Sequence, residues 1–151
     1  MSSIRRFAVL GCWLAVLGSA GLAHALEFKS VANSPAVMFD APSMKGKKVF
    51  IAPRGMPVEI VLTYGEWSKV RDASGGLAWL ESKTLSNKRT VLVQVASAKI
   101  RASADDAAFI VFSADKGVLL ELAEPPASGW LKVKHRDGLS GFVKVNEIWG
   151  I

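Results

Sequence analysis

The stretch Trp67-Ser68-Lys69-Val70-Arg71, followed by Gly75 and then Ala78-Trp79-Leu80, decides how the chain is read. Short aromatic and β-branched runs are broken by a Gly that marks a turn, as expected of two short strands joined by a turn. At an offset of 63 the same order returns as Trp130-Leu131-Lys132-Val133-Lys134, then Gly138, then Gly141-Phe142-Val143. A pattern that recurs at fixed spacing predicts a duplicated structural unit.

Upstream of these strands the offset is 62, and Val31, Ala36, Val49, Phe50, Gly55 and Glu59 match Val93, Ala98, Val111, Phe112, Gly117 and Glu121. One extra residue in the second copy, within Glu124-Pro125-Pro126-Ala127-Ser128-Gly129, accounts for the change, as turns tolerate insertion. The units are placed at 27–86 and 88–151, joined by the short polar stretch Ser86-Asn87-Lys88-Arg89. Each is near the lower limit of about 60 residues for a domain that folds alone, so the copies are expected to share an interface. Met56, Val58, Ile60 and Leu62 alternate with Pro57, Glu59, Val61 and Thr63, and Val118, Leu120 and Leu122 repeat the pattern. Val49-Phe50-Ile51, Val91-Leu92-Val93 and Ile110-Val111-Phe112 are further short apolar runs bounded by turn or charged residues. Many short strands and no helical stripe in the mature chain predict an all-β fold with one small barrel per unit.

The two marks together, Trp-x-Lys-Val-basic and Gly-aromatic or Ala-Trp before an aliphatic residue, resemble the bacterial SH3 (Src homology 3-like) domain. Ala98-Lys99-Ile100-Arg101-Ala102-Ser103 is similar to that family's first strand, whereas Met38-Phe39-Asp40-Ala41-Pro42 lacks the Arg. Glu147-Ile148-Trp149-Gly150 looks like the end of exported tandem members. The resemblance covers both units. It implies two tandem SH3-like barrels of five or six strands, binding peptides or cell-wall glycopeptide without chemistry.

Arg5-Arg6, the apolar stretch Phe7 to Leu17 and the small residues ending Ala23-His24-Ala25 have the order of a secretory signal peptide. Residues 1–25 are read as this segment, with cleavage after Ala25 and delivery to a periplasm or the exterior. Its apolar stretch is well short of the ~18 residues that span a bilayer, and no stable membrane span is expected in the mature chain. Val9-Leu10-Gly11-Cys12 has a distant likeness to a lipoprotein processing site, but apolar residues continue through Trp13 to Leu17, which places the Cys inside the apolar region. Cleavage leaves 17 Lys and Arg against 13 Asp and Glu in a chain with one His and no Cys. A thiolate nucleophile, a disulfide and Cys-ligated zinc are therefore excluded from the mature chain, and a multi-histidine zinc site with them.

His135 corresponds to Asp72 of the first copy, at a turn before Gly75, and reads as a polar loop residue rather than a catalytic base. Asp105-Asp106 lack the spacing and Gly of a calcium loop and read as a solvated turn. No Gly-rich phosphate loop follows any strand. No enzyme, cofactor or metal is expected. In a strand, residues two apart share a face, so Trp67, Lys69 and Arg71 point together, as do Trp130, Lys132 and Lys134. An aromatic beside two cations is suited to docking a sugar or peptide that carries carboxylates. The same pattern fits Trp residues that close the barrel and cations that are merely solvated. Tyr64 adds an aromatic beside Trp67 that the second copy lacks, so the first unit is expected to bind better. Trp79, Phe142, Val70 and Val133 are assigned to the core, and Trp149 to the second barrel's end or the space between units.

These features predict an exported, non-catalytic module that recognises cell-wall peptide or glycopeptide, or an envelope protein. The alternative is a structural subunit of an envelope complex joined through strand edges or apolar patches. Nucleic acid is not expected as a partner, because a net charge of +4 is modest and export removes the chain from it.

Overall fold

The computed structural model describes residues 25–32 and 35–151. The signal peptide expected at 1–25 therefore lies almost wholly outside the described residues. Seven strands form a first sheet: β1 (Glu27–Val31), β2 (Ala36–Phe39), β3 (Lys48–Ala52), β4 (Pro57–Tyr64), β5 (Trp67–Arg71), β6 (Leu77–Glu81) and β7 (Leu85–Ser86). Seven more form a second: β8 (Thr90–Val93), β9 (Ser97–Arg101), β10 (Ile110–Asp115), β11 (Leu119–Leu122), β12 (Trp130–Lys134), β13 (Ser140–Lys144) and β14 (Ile148–Trp149). The spatial orders are β3-β2-β6-β5-β4-β1-β7 and β10-β9-β13-β12-β11-β8-β14, so the two sheets have one topology. All strand pairs are antiparallel. The chain is all-β, as the alternation predicts, with single 3-10 turns at Ser82–Thr84 and Val145–Glu147.

Each sheet curls around its own core. Strands lie about 4.8 Å apart, so the ends of a flat seven-stranded sheet are too far apart for their side chains to meet. Yet Ala52 of β3 and Val31 of β1 share one buried cluster with Met38, Val58, Val70 and Leu80. In the second sheet Val91, Ile100, Ala114, Leu120, Leu131, Val133 and Val143 do the same. Seven strands rather than five or six arise because each copy opens with two strands and closes with a two-residue strand that pairs beside the first. Gly75 and Gly138 take φ of +89° and +97° at the β5–β6 and β12–β13 turns, a conformation that suits Gly at both copies' matched position.

One expected alternation breaks. Val58 is fully buried and Ile60 half-buried, but Leu62 is exposed, because the β4–β5 register shifts between Ile60 and Leu62. The bulge inserts a residue and turns Leu62 to the outer face. In the second copy Leu120 and Leu122 keep the expected side.

The two sheets meet through residues at their seam. The rings of Phe28 and Trp149 are edge to face at 5.1 Å, and the Arg89 guanidinium lies 5.6 Å from the Phe28 ring. Thr90 Oγ1 donates to the Gly55 carbonyl at 2.6 Å and Ser30 Oγ to the Lys88 carbonyl at 2.6 Å, while within the second copy Arg89 Nη2 donates to the Gly150 carbonyl at 2.7 Å. Burial lowers the Arg89 pKa from its ordinary value. Trp149 thus sits between the copies.

Candidate functional site

β5 is amphipathic across its two faces. Ser68 and Val70 are buried, while Trp67, Lys69 and Arg71 are half-buried on the outside, as period two requires. Register then extends that outer face across neighbouring strands, since directly opposed residues share a side. Lys69 opposes Leu62 of β4 and Trp79 of β6, and Trp79 in turn opposes Phe39 of β2. Tyr64 opposes Trp67. Tyr64 and Leu62 are exposed, so the face offers aromatic and aliphatic surface to solvent around Lys69.

Trp67 is oriented by Phe39, whose buried ring meets it edge to face at 5.6 Å. Phe39 stands where the second copy has Arg101, so the first copy's departure from the expected Arg supports its Trp. Lys69 Nζ lies 5.8 Å from the centre of the Trp79 ring, within cation–π range, and forms no ion pair with a described residue. Arg71 has a different role. Its Nη1 donates to both carboxylate oxygens of Glu59, at 2.9 and 2.8 Å, and Glu59 is buried. That pairing ties Arg71 to β4 through Nη1 alone, and the side chain stays 42% exposed at the end of the face.

The expected core role of Trp79 and Phe142 needs correction. Leu80 and Val143 take the core side of β6 and β13, so alternation puts Trp79 and Phe142 on the outer side, half-buried beneath Lys69 and Lys132. Val70 and Val133 are buried, as expected.

The second copy assembles the same elements differently. Trp130, Lys132 and Phe142 occupy equivalent register positions, with Lys132 Nζ 5.9 Å from the Phe142 ring. However, Lys132 is paired with Glu124 at 2.7 Å. Lys144 lies 5.7 Å from the Trp130 ring and is paired with Asp106 at 2.6 Å. Lys134 is exposed opposite Glu121, whose carboxylate instead pairs with Lys88 at 2.6 Å. β11 ends at Leu122, and the position opposite Trp130 that matches Tyr64 is held by Ala127, so the second copy has no aromatic there.

His135 Nδ1 lies 2.9 Å from Asp137 Oδ2, and the His135 ring is 5.8 Å from that of Phe112. The Asp137 carboxyl is held below its ordinary pKa by the Leu139 N–H and then by His135. This is turn chemistry, as the sequence predicts for that position. Among the described residues no group of three or more His, Cys, Asp or Glu is arranged to hold a metal, and no helix is long and apolar enough to cross a membrane.

Solved structures similar to this chain include NlpC2 from Trichomonas vaginalis, at 11% identity and a TM-score of 0.39, covering 83% of this chain and 48% of that one. NlpC1 from the same organism is 13% identical with a TM-score of 0.39, covering 90% and 50%. An NlpC/P60 family protein from Bacillus cereus ATCC 10987 is 16% identical with a TM-score of 0.38, covering 82% and 56%. The chain spans about half the length of these proteins. No curated protein matches it. The sequence model of the bacterial SH3 domain matches twice, over residues 32–87 and 94–150. With both copies matched over most of its length, the chain belongs to the bacterial SH3 domain family.

Proposed function

We propose that the protein is an exported, non-catalytic binding module that holds cell-wall peptide or glycopeptide on the outer face of β4, β5 and β6. The observation that carries this reading is Lys69. It stands between Leu62 and Trp79 and pairs with no described carboxylate, the same-face Glu81 being engaged by Lys83, whereas its duplicate Lys132 is neutralised by Glu124. Wall stem peptides combine carboxylates with apolar groups, and wall sugars have apolar ring faces that stack on aromatic side chains. Trp67 and Tyr64 would supply the stacking surface and Lys69 the charge. Arg71 would hold β4 and β5 in register through Glu59 and present its remaining N–H groups at the end of the face. Trp130, Lys132 and Lys134 would form a weaker second face.

Sedimentation with purified sacculi tests this with the chain from Leu26 to Ile151. Wild type should be retained at low salt, and Trp67→Ala, checked for folding by circular dichroism, should lose affinity by about tenfold, as aromatic anchors do. Failure of wild type to sediment with sacculi at low salt, where attraction between exposed charges is strongest, would remove the wall reading. The structural subunit of an envelope complex would then take its place.

A further inference from the structure

β3 ends the strand order of the first sheet, so one side of its backbone has no neighbouring strand among the described residues. Such an edge is a template on which another extended chain can add. Its side chains are apolar and exposed on both faces, with Val49 at 47%, Phe50 at 51% and Ile51 at 65% of full exposure. Lys45, Lys47 and Lys48 precede this apolar segment and Arg54 follows it. None of these four cations forms an ion pair with a described residue.

The matching edge of the second sheet, β10, ends its strand order in the same way and exposes Ile110 at 46%, but its later side chains differ. Phe112, the counterpart of Phe50, is half-buried against its own core and lies beside His135. Ser113 replaces Ile51 and accepts a hydrogen bond from Lys99 Nζ at 3.1 Å. The two edges share a topology and both expose apolar residues, but β10 is flanked by Asp105, Asp106 and Asp115 where β3 is flanked by cations.

We infer that β3 is a docking edge for an extended segment of another protein, with apolar residues at its centre and acidic residues at both ends. Charge selects this occupant. If two copies of the chain paired antiparallel through β3, the lysines before one strand would run beside Arg54 of the other, and like charges would oppose. An acid-ended strand meets cations at both ends and covers Val49 and Ile51 with its own alternate side chains. The surface is separate from the β5 face, and this inference does not depend on wall binding.

The test uses a synthetic ten-residue peptide of alternating valine and threonine ended by two glutamates at each side. Its binding to Leu26–Ile151 is followed by fluorescence anisotropy and by amide shifts in β3. The expected result is saturable binding with shifts at residues 48–52, weakened about tenfold by Ile51→Lys, by Lys48→Glu or by N-methylation of alternate peptide amides. Ile51→Lys should leave retention by sacculi intact, which separates this edge from the wall-binding face. No saturable binding, or equal binding of a peptide with lysine ends, would overturn the inference. Self-association that Ile51→Lys abolishes, or β3-dependent binding to anionic vesicles in preference to the peptide, would also overturn it.

Discussion

The two copies share a strand order but distribute their charges differently. In the first, the buried Glu59 binds the cation at the end of β5, and the central Lys69 lies over a Trp ring unpaired by described acids. In the second, Glu121 pairs across the connection with Lys88, while Glu124 neutralises the central cation. The cations of β5 and β12 match in position, but the residues around them differ, with Glu124 in the second copy's turn where the first has the apolar end of β4. The lesson is that a barrel scaffold fixes where side chains stand, and a few acidic residues in loops decide which of them remain available.

The largest expected difference between the copies lies where they differ by one methyl group. A Cβ on Gly141 would stand 2.5 Å from the Arg101 carbonyl oxygen and 2.6 Å from Ile100 Cγ2, yet the first copy has Ala78 at the matching position. Gly141→Ala should destabilise the protein by about 3 kcal/mol through forced backbone movement, and Ala78→Gly by only about 1 kcal/mol. Urea unfolding of both variants would measure this, and equal costs would break the asymmetry.

The carboxylates come next. Glu59→Ala strips a buried bidentate partner from Arg71 and should cost about 2 kcal/mol, whereas Glu121→Ala removes an exposed pair and should cost at most about 0.5 kcal/mol. Thermal melts would rank the two. On wall binding, Lys69→Glu should weaken retention by about fivefold and Lys132→Glu by less than about twofold, because Lys132 is already compensated. Glu124→Gln should raise retention slightly by releasing Lys132. Equal effects of the two lysine variants in a sacculus titration would show that both faces serve alike.

The smallest effect is in acid. The Lys88 hydrogen bond holds the Glu121 pKa below its ordinary value of 4.5. Its contribution to stability is therefore present above that value and is lost as pH falls through the lowered one. The difference in urea midpoint between wild type and Glu121→Gln should shrink as pH drops from 6 to 3. A constant difference would mean that the contact does not titrate with folding.

Most of the fold was legible in the sequence because a doubled pattern restricts it twice. Trp67 and Trp130, with their Lys, Val and Gly at one spacing, gave the strands, the turns and the family. Alternation also placed Val70 and Val133 correctly in the core. It failed at Leu62, where one extra residue in β4 reverses which side faces out, and a bulge leaves no composition signature. Alternation within β6 and β13 gives the core positions to Leu80 and Val143, which turns Trp79 and Phe142 outward. The Glu59–Arg71 pair and the Phe39–Trp67 contact depend on register between strands, which residue spacing within one strand does not encode. The absence of Arg at Phe39 was the visible sign of the latter.

The seam carries a consequence for how such duplications age. Phe28 of the first copy corresponds to Thr90 of the second, and Trp149 of the second to Ser86 of the first, so each copy holds one aromatic of the pair that meets at 5.1 Å. Two equal halves have become the unlike subunits of a heterodimer written in one chain. Neither half is a spare for the other: reversing their order would part the two rings, and separating them would leave a naked aromatic on each.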